Sequence, residues 1–440
     1  MITLLAYSMM AVFMVAIVTG RLSALMALIL VPSFFAVLGG FGPEVPDMAL
    51  AGIRRIAPTA ALLLFAILYF GLMIDVGLFD PLVRLIVRLS HGDPLWVIVG
   101  TAILAMAISL DGDGSTTFLL VVTAMMPLHR ALGINPLILP CVTVLPNAVI
   151  NIAPWGGPTA RVMSSLHVTS SQVFVPLMPA IICSLIAVIG VAFFLGLRER
   201  RRLGTLQAPA SGAGAPDAMT AMATPAMADA GQAVVSRSPA LQMFNLALTG
   251  AILILLVADI MPLAYIFMLG LAIAMTVNFP DLREQRDRIE AHAGSVLMVV
   301  SVVFGAGVFT GILSGTGMTE ALANSVVSLI PESAGPYIPE ITAVLSVPFT
   351  FFMSNDAFYF GVVPVLAQAA AQYGIAPEII ARASLIGQPV HMLSPLVPAA
   401  YVLTGLAKVE FGDHQKFAGP WALLIALVML VSATVFGILD

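Results

Sequence analysis

Long apolar stretches, each about the length of one membrane crossing, run through most of the sequence. A bilayer core about 30 Å thick requires about 20 apolar residues in a crossing helix. By this criterion the chain has eight complete crossings, at 3–20, 22–40, 57–79, 173–197, 241–258, 262–278, 295–313 and 419–438. The pattern therefore predicts an all-α polytopic membrane protein.

Four further apolar segments are interrupted near their middle. Segments 93–133 and 338–374 each have two short apolar arms around a polar centre, SLDGDGSTT and MSNDAF, which predicts re-entrant hairpins. Segments 137–168 and 378–408 are long enough to cross, but NIAPWGGPT and MLSPLVP break them midway. Backbone without helical hydrogen bonds is tolerated at membrane depth only where it is buried in protein or lines a cavity. The interruptions therefore predict a polar centre inside the protein.

The second half of the chain repeats the order of these unusual elements. With a constant offset of 241 positions, residues 118–161 lie over residues 359–402 without a gap. The halves 1–203 and 240–440 then have five crossings and one hairpin each. Because an odd number of crossings inverts the second half relative to the first, we expect an inverted-topology repeat.

The composition excludes a soluble protein. The 440 residues are 60% hydrophobic and only 9% charged, with a net charge of -5, whereas a soluble domain has roughly 25% charged residues. The small, scattered charge offers no basic surface for nucleic acid. Residues 204–239 are rich in Ala, Pro, Gly and Ser and have no apolar face, which is typical of a flexible linker.

Basic residues predict the orientation of the chain. If Arg198 and the arginines after it are cytoplasmic, the predicted crossings place 14 of the 18 Lys and Arg residues on that side. Basic residues in short loops favour the cytoplasmic side. We therefore expect a multi-pass protein of the plasma (inner) membrane, with both termini outside the cytoplasm and the linker 204–239 inside.

The four interruptions are expected to meet near the midplane and to bind a small polyanion together with a cation. Each restarts a helix, and Pro158 and Pro395 suit the first turns after the two breaks. Helix starts leave unpaired N–H groups and partial positive charge, which favour carboxylates, whereas freed carbonyls favour a cation. The residues expected at the interruptions are Gly112, Gly114, Pro154, Gly156, Gly157, Pro158 and Pro395.

Polar side chains at these interruptions are the candidate ligands. Asp111 and Asp113 offer hard oxygen ligands for a divalent cation, or could carry protons because desolvation and mutual repulsion disfavour two charges. Asp356 and His391 are further metal or proton candidates. Arg161 follows the first break, where a guanidinium could clamp a carboxylate. The expected substrate-binding residues are Ser115, Thr116, Thr117, Asn147, Asn151, Arg161, Ser354, Asn355 and Ser394.

In the stretches SLDGDGSTT, NIAPWGGPTAR and MSNDAFYFGVVP the sequence resembles the citrate-metal proton symporter family, CitMHS, of the ion transporter superfamily. With the order of spans, the resemblance covers nearly the whole chain outside the linker. It implies uptake of citrate as a complex with a divalent cation of the Mg²⁺ or Ca²⁺ class, in symport with protons and without a tightly bound cofactor. It also implies a homodimer in which a transport domain moves through the bilayer as an elevator against a scaffold.

The acidic hairpin tips differ from the Ser-Asn-Thr tips of the divalent-anion sodium symporters in the same superfamily. Extra aspartates would repel a bare carboxylate anion, whereas a divalent cation reduces citrate from about three negative charges to about one. A sodium-coupled di- or tricarboxylate symporter and a sodium/proton or arsenite antiporter are alternatives, because fold does not establish substrate. An intramembrane aspartyl protease is a remote alternative. It requires two facing aspartates on adjacent helices, whereas Asp111 and Asp113 share one glycine-containing loop.

Replacing Asp113 by asparagine is expected to abolish metal-dependent citrate uptake. The change removes a carboxylate from the predicted cation site and leaves the size of the side chain nearly unchanged. Uptake of labelled citrate into proteoliposomes measures the effect, and membrane insertion of the variant should be normal. Near-normal uptake would show that Asp113 is not part of the site.

Overall fold

The structure is a computed structural model that is helical throughout, with no strand among the described residues. Those residues are 2–19, 21–90, 92–112, 114–203, 238–258, 260–327 and 332–440. Nearly all of the predicted linker and the candidate ligand Asp113 lie outside them. The prediction of an all-α chain with many apolar helices is confirmed.

The first half of the chain has nine helices within the described ranges. They are α1 (Ile2–Val18), α2 (Ala24–Leu38), α3 (Val45–Asp75), α4 (Asp80–Ser90), α5 (Pro94–Ile108), α6 (Gly114–Ala131), α7 (Ile138–Ile150), α8 (Gly157–Leu166) and α9 (Ser170–Leu203). One 3-10 turn, Gly42–Glu44, leads into α3, and another, Ser109–Asp111, follows α5.

The second half has ten helices over the part that is described. They are α10 (Pro239–Ala258), α11 (Leu263–Asn278), α12 (Leu282–Gly315), α13 (Met318–Val327), α14 (Ile338–Phe352), α15 (Val363–Ala371), α16 (Pro377–Ser384), α17 (Gln388–His391), α18 (Pro398–Ala407) and α19 (Phe411–Val435). A 3-10 turn, Glu332–Tyr337, leads into α14, and a π-helical turn, Ala357–Val362, leads into α15.

The helices of the second half follow the same order as those of the first. A long helix (α3 or α12) is followed by a short one, two hairpin arms, a broken segment and a final long helix. The broken segments differ, because residues 385–387 form an extra turn between α16 and α17. A Cβ on Gly387 would lie 2.4 Å from Ser346 O of α14, so this turn requires glycine. The sequence pattern does not predict this turn.

Each of the eight segments predicted as complete crossings lies on a helix. Within the described ranges, five helical segments have the length and composition of a crossing: Gly42–Asp75, Pro94–Asp111, Ser170–Leu203, Val296–Gly315 and Phe411–Val435. Pro94–Asp111 combines α5, the first arm of the predicted hairpin 93–133, with the 3-10 turn that follows it. These helices give the chain the architecture of a multi-pass membrane protein.

Helices α3 and α12 cross in direct backbone contact. A Cβ on Gly52 would lie 1.9 Å from Gly307 O, and a Cβ on Gly311 would lie 2.3 Å from Met48 O. Neither glycine leaves room for a side chain. Small residues at a crossing let helices in a membrane approach closely, so that van der Waals packing holds them together.

A buried charge network joins the same two helices at the other end of their contact. Asp75, the last residue of α3, has a side chain that is 4% exposed. His292 Nε2 lies 3.0 Å and Arg288 Nη1 lies 3.5 Å from Asp75 Oδ2. The start of α3, at Gly52, contacts the end of α12, at Gly307, while the end of α3 contacts the start of α12. The two helices therefore run antiparallel.

Replacing Gly52 by alanine is expected to destabilise the protein, because the added methyl group overlaps a backbone carbonyl of α12. Overpacking of this kind costs typically about 1–3 kcal/mol, and thermal unfolding of the purified protein in detergent measures the loss. Gly250→Ala is the matched control, since a Cβ on Gly250 meets no atom within 4 Å. Equal melting temperatures for the two variants would contradict a crossing that depends on Gly52.

Candidate functional site

The tip of the first hairpin is shaped by a glycine in a left-handed conformation. After α5 the chain makes the turn Ser109–Asp111, and Gly112 then adopts φ +77°. L side chains rarely adopt this φ, and a Cβ on Gly112 would lie only 3.1 Å from Trp155 Cδ1. Gly112 therefore gives the tip both its bend and its close fit against the first break.

The first break separates α7 from α8 and is closed by short-range contacts. A Cβ on Gly156 would lie 1.9 Å from Asn151 O, so the chain folds back tightly on itself there. Thr159 Oγ1 donates to Ile152 O at 2.7 Å and satisfies a carbonyl that the interrupted helix leaves free. Pro158 lies in the first turn of α8, where its missing N–H costs nothing.

The first break holds the first hairpin tip through two side chains. Trp155 Nε1 donates to Leu110 O at 2.7 Å, and Asn147 Nδ2 donates to Ser109 Oγ at 3.1 Å. The Trp155 ring stacks on Phe70 of α3, with 5.3 Å between the ring centroids. Trp155 of the first break therefore holds the first hairpin tip and packs it against α3.

The second hairpin and the second break are joined in the same way, by side chains that satisfy freed carbonyls. His391 Nδ1 donates to Thr350 O at 2.6 Å, and Ser394 Oγ donates to Phe351 O at 2.6 Å. Ser354 Oγ accepts from Ala357 N at 3.2 Å, which caps the second arm of the hairpin. His391, Ser394 and Ser354 thus have structural hydrogen bonds at the positions where the sequence predicted ligand contacts.

Two of the predicted helix starts are wrong. Pro395 lies in the turn between α17 and α18, and α18 begins three residues later with Pro398 at its first position. Pro398 also has the fixed φ that suits a first turn, and the Ser394 hydroxyl accepts from Leu396 N at 3.2 Å, which holds residues 394–396 outside the helix. The sequence also predicts that the second arm of the first hairpin begins at Thr116, after Ser115, whereas α6 begins at Gly114.

Contacts between the two halves bring all four interruptions together. Arg161 Nε of α8 donates to Asp356 Oδ1 at the second hairpin tip, with a distance of 2.6 Å. At the start of α6, a Cβ on Gly114 would lie 3.2 Å from Met392 Cε of the second break and 3.6 Å from Ala399 Cβ of α18. The start of α6 therefore lies beside the start of α18, and α8 lies beside the second hairpin.

The predicted acidic residues have different surroundings. Asp111 is 6% exposed and accepts from Thr117 Oγ1 at 3.4 Å. Asp356 is paired with Arg161, whose Nη1 also donates to Gly157 O at 3.0 Å. Arg161 thus neutralises a carboxylate of the protein itself. Of the neighbouring hydroxyl residues, Ser115 is exposed and Thr116 is partly exposed.

Two residues of this centre, Gln388 and Tyr359, were not among the predicted site residues. Gln388 Nε2 donates to Asn355 Oδ1 at 3.2 Å and to Tyr359 OH at 2.7 Å, and Tyr359 OH donates to Ser384 O at 3.4 Å. The internal repeat did carry a signal for Gln388, because the offset of 241 places it over Asn147. Tyr359 falls on Phe118, so the repeat carries no such signal for its hydroxyl.

Three buried amide oxygens in this centre have no hydrogen-bond partner: Asn147 Oδ1, Asn151 Oδ1 and Gln388 Oε1. A buried acceptor without a partner costs about 1–3 kcal/mol, so each of these oxygens calls for a partner that the described residues do not supply. Among the described residues, no group of three or more His, Cys, Asp and Glu side chains lies together.

Broken helices and hairpin tips that meet around a polar centre define a class of protein, the secondary transporters. Two solved transporter structures have the same fold. One is YdaH of Alcanivorax borkumensis, with a TM-score of 0.58 and 15% identity over 89% of this chain and 88% of that one. The other is MtrF of Neisseria gonorrhoeae, with a TM-score of 0.59 and 14% identity over 90% and 84% of the two chains.

Within this class, the chain belongs to the CitMHS family, described as citrate transporters, whose sequence model matches residues 10–387. A citrate transporter of Bacillus subtilis is 52% identical over the full length of both chains. The Mg(2+)/citrate complex secondary transporter of the same species is 46% identical over 99% of each chain. The resemblance seen in the hairpin and break motifs is confirmed, and the protein is a membrane transporter, not an enzyme.

The Arg161–Asp356 pair is expected to couple energetically, because both side chains are shielded from water, with 23% and 16% of their surfaces exposed. A double-mutant cycle with Arg161→Gln and Asp356→Asn should give a coupling free energy on the order of 1 kcal/mol, as is usual for contacting residues. Denaturant unfolding of the purified variants measures it.

The Lys416–Asp413 pair is the control for this cycle, since it lies at 3.8 Å with 83% and 61% of the side chains exposed. Exposed pairs contribute little to stability, so its coupling should be close to zero. Equal coupling in the two cycles would contradict a shielded Arg161–Asp356 pair.

Proposed function

We propose that this protein imports citrate as a complex with a divalent cation of the Mg²⁺ or Ca²⁺ class, in symport with protons. Membership of the CitMHS family supports citrate as the substrate. The relative named as a Mg(2+)/citrate complex secondary transporter supports a metal-bound form. The cation is then part of the transported substrate, and no tightly bound cofactor is needed.

The observation that carries the proposal is the excess of buried acceptor oxygens at the centre. Asn147, Asn151 and Gln388 each present an oxygen without a partner, and Asp111 adds a buried carboxylate. A tricarboxylate without a cation would place its own acceptor oxygens beside these protein oxygens, and the two sets would repel each other. A divalent cation takes six to eight oxygen ligands, so a cation bound to citrate can satisfy the protein's oxygens and the carboxylates together.

Helix starts supply the complementary positive charge for the carboxylates. The start of α6 lies beside the start of α18, and the start of α8 lies beside the second hairpin arm. Each start carries about half a positive charge. Ser115, Thr116 and Thr117 lie in the first turn of α6 and are proposed to donate to citrate from there.

We propose that Arg161 binds a carboxylate of the substrate and thereby releases Asp356. In the structure its guanidinium is shared between Asp356 and Gly157 O. A carboxylate of the substrate can compete with Asp356 for the guanidinium, which releases Asp356 to take a proton or to coordinate the cation. Asp111, Asp113 and His391 are the other proposed proton or metal positions, and substrate loading is thereby coupled to protonation.

The movement is proposed to be that of an elevator built on an inverted repeat. The antiparallel course of the equivalent helices α3 and α12 supports the inverted repeat. Their tight glycine crossing suits a rigid scaffold, while the hairpins and broken helices form the moving part. We further propose a homodimer in the plasma membrane, with both termini outside the cytoplasm and the linker 204–239 inside.

Uptake of labelled citrate into proteoliposomes tests the proposal. We expect uptake to require Mg²⁺ or Ca²⁺, to increase when the outside is made acidic, and to be unchanged by removing sodium. Gln388→Met should lower the apparent affinity about tenfold or more, since it removes a hydrogen-bonding group that meets a charged ligand, worth about 1.5–3 kcal/mol. Gln242→Met, in the partly buried part of α10, is the matched control and should be neutral.

Other results would favour the alternatives. Citrate uptake that depends on sodium and not on a divalent cation would identify a sodium-coupled carboxylate symporter. Exchange of sodium for protons, or export of arsenite, without citrate uptake would place the chain with the antiporters of the superfamily. Equal affinities of the Gln388→Met and Gln242→Met variants for citrate would show that the Gln388 amide does not bind the substrate.

A further inference from the structure

The short helix α4 has the two faces of a helix that lies in a membrane surface. Its 11 residues span about 16 Å at 1.5 Å per residue, which is too short to cross a bilayer core of about 30 Å. Ile86 is 7% exposed and packs on α5, where a Cβ on Gly100 would lie 2.3 Å from Ile86 Cγ2. Leu85 and Leu89 point away from the protein and are 49% and 59% exposed.

Two arginines accompany these exposed leucines. Arg84 and Arg88 are both exposed, and their i, i+4 spacing places them on one side of the helix. An apolar strip beside a basic strip is the pattern of helices that lie at the boundary between headgroups and acyl chains. α4 is therefore built to meet a lipid surface.

The ends of α6 and α9 extend this basic surface. Arg200 Nη2, near the end of α9, lies 3.4 Å from Asp93 Oδ2, in the turn that follows α4. Arg202 Nη2 donates to Gly133 O, just after α6, at 2.7 Å. Three more exposed arginines lie at these helix ends: Arg130, Arg198 and Arg201.

The acidic side chains described between these helix ends are already paired. Asp93 accepts from Leu95 N at 2.9 Å and pairs with Arg200. Glu199 is 4% exposed, pairs with Arg202 at 2.6 Å and accepts from Asn135 N at 3.0 Å. Arg84 and Arg88, together with Arg130, Arg198 and Arg201, thus present a basic surface that complements negative charge.

We propose that α4 and the adjoining ends of α6 and α9 bind anionic phospholipid headgroups. The arginines contact the phosphates, and Leu85 and Leu89 enter the acyl boundary beside them. Because α4 connects α3 to the first hairpin arm α5, bound lipid holds this connection at the membrane surface. None of these residues belongs to the polar centre, so lipid binding here is independent of the proposed substrate.

Binding of phosphatidylglycerol and phosphatidylcholine to the purified full-length protein tests the proposal, with native mass spectrometry as the measurement. We expect the wild-type protein to retain phosphatidylglycerol in preference to phosphatidylcholine. Each arginine near an anionic surface contributes a factor of about five, so Arg84→Gln combined with Arg88→Gln should reduce this preference by about fivefold to 25-fold. Higher salt should reduce the wild-type preference as well, because it screens exposed charges.

Arg54→Gln combined with Arg55→Gln is the matched control, since both arginines are exposed at the opposite end of α3. This control should keep the wild-type preference. An unchanged preference in the Arg84, Arg88 variant, or a wild type that binds the two lipids equally, would overturn the proposal. Citrate uptake by the same proteins is recorded separately, so failure of the lipid surface is distinguishable from failure of the transport function.

Discussion

The rest of this structure depends on one requirement, that backbone groups within a membrane must find hydrogen-bond partners inside the protein. Four interrupted helical segments meet at the centre of the protein, and each interruption removes helical hydrogen bonds from carbonyl and N–H groups. Side chains from neighbouring elements satisfy several of these carbonyls, as Trp155 does for Leu110 and Ser394 does for Phe351. The interruptions can exist only because they meet, and the polar centre follows from their meeting.

Helices α3 and α12 pack closely against each other beside this centre. Their glycines allow backbone contact at one end, and the network of Asp75 with His292 and Arg288 joins the other end. Phe70 of the same helix α3 carries the Trp155 ring. The helix that packs against α12 therefore also positions the first hairpin tip, through Phe70 and Trp155.

Much of the centre could be predicted from the sequence, because interruptions of apolar segments are visible in a single chain. The two hairpin tips, the first break and the repeat that matches Gln388 with Asn147 all have local signals. The start of α18 did not, since Pro395 and Pro398 both suit a first turn and the hydrogen bonds of Ser394 decide between them. The extra turn at Gly387 likewise depends on contact with Ser346 of a distant helix.

By itself the sequence determined the class of protein, the helical segments, the position of each interruption and the family, since hydropathy and motifs are local properties. Only the tertiary structure decided which groups within the centre are already bonded. Asp356 pairs with Arg161, and His391 and Ser394 donate to backbone carbonyls, while the side-chain oxygens of Asn147, Asn151 and Gln388 have no hydrogen-bond partner. The physical reason is that a hydrogen bond such as Arg161–Asp356, between residues 195 positions apart, depends on how the two halves pack.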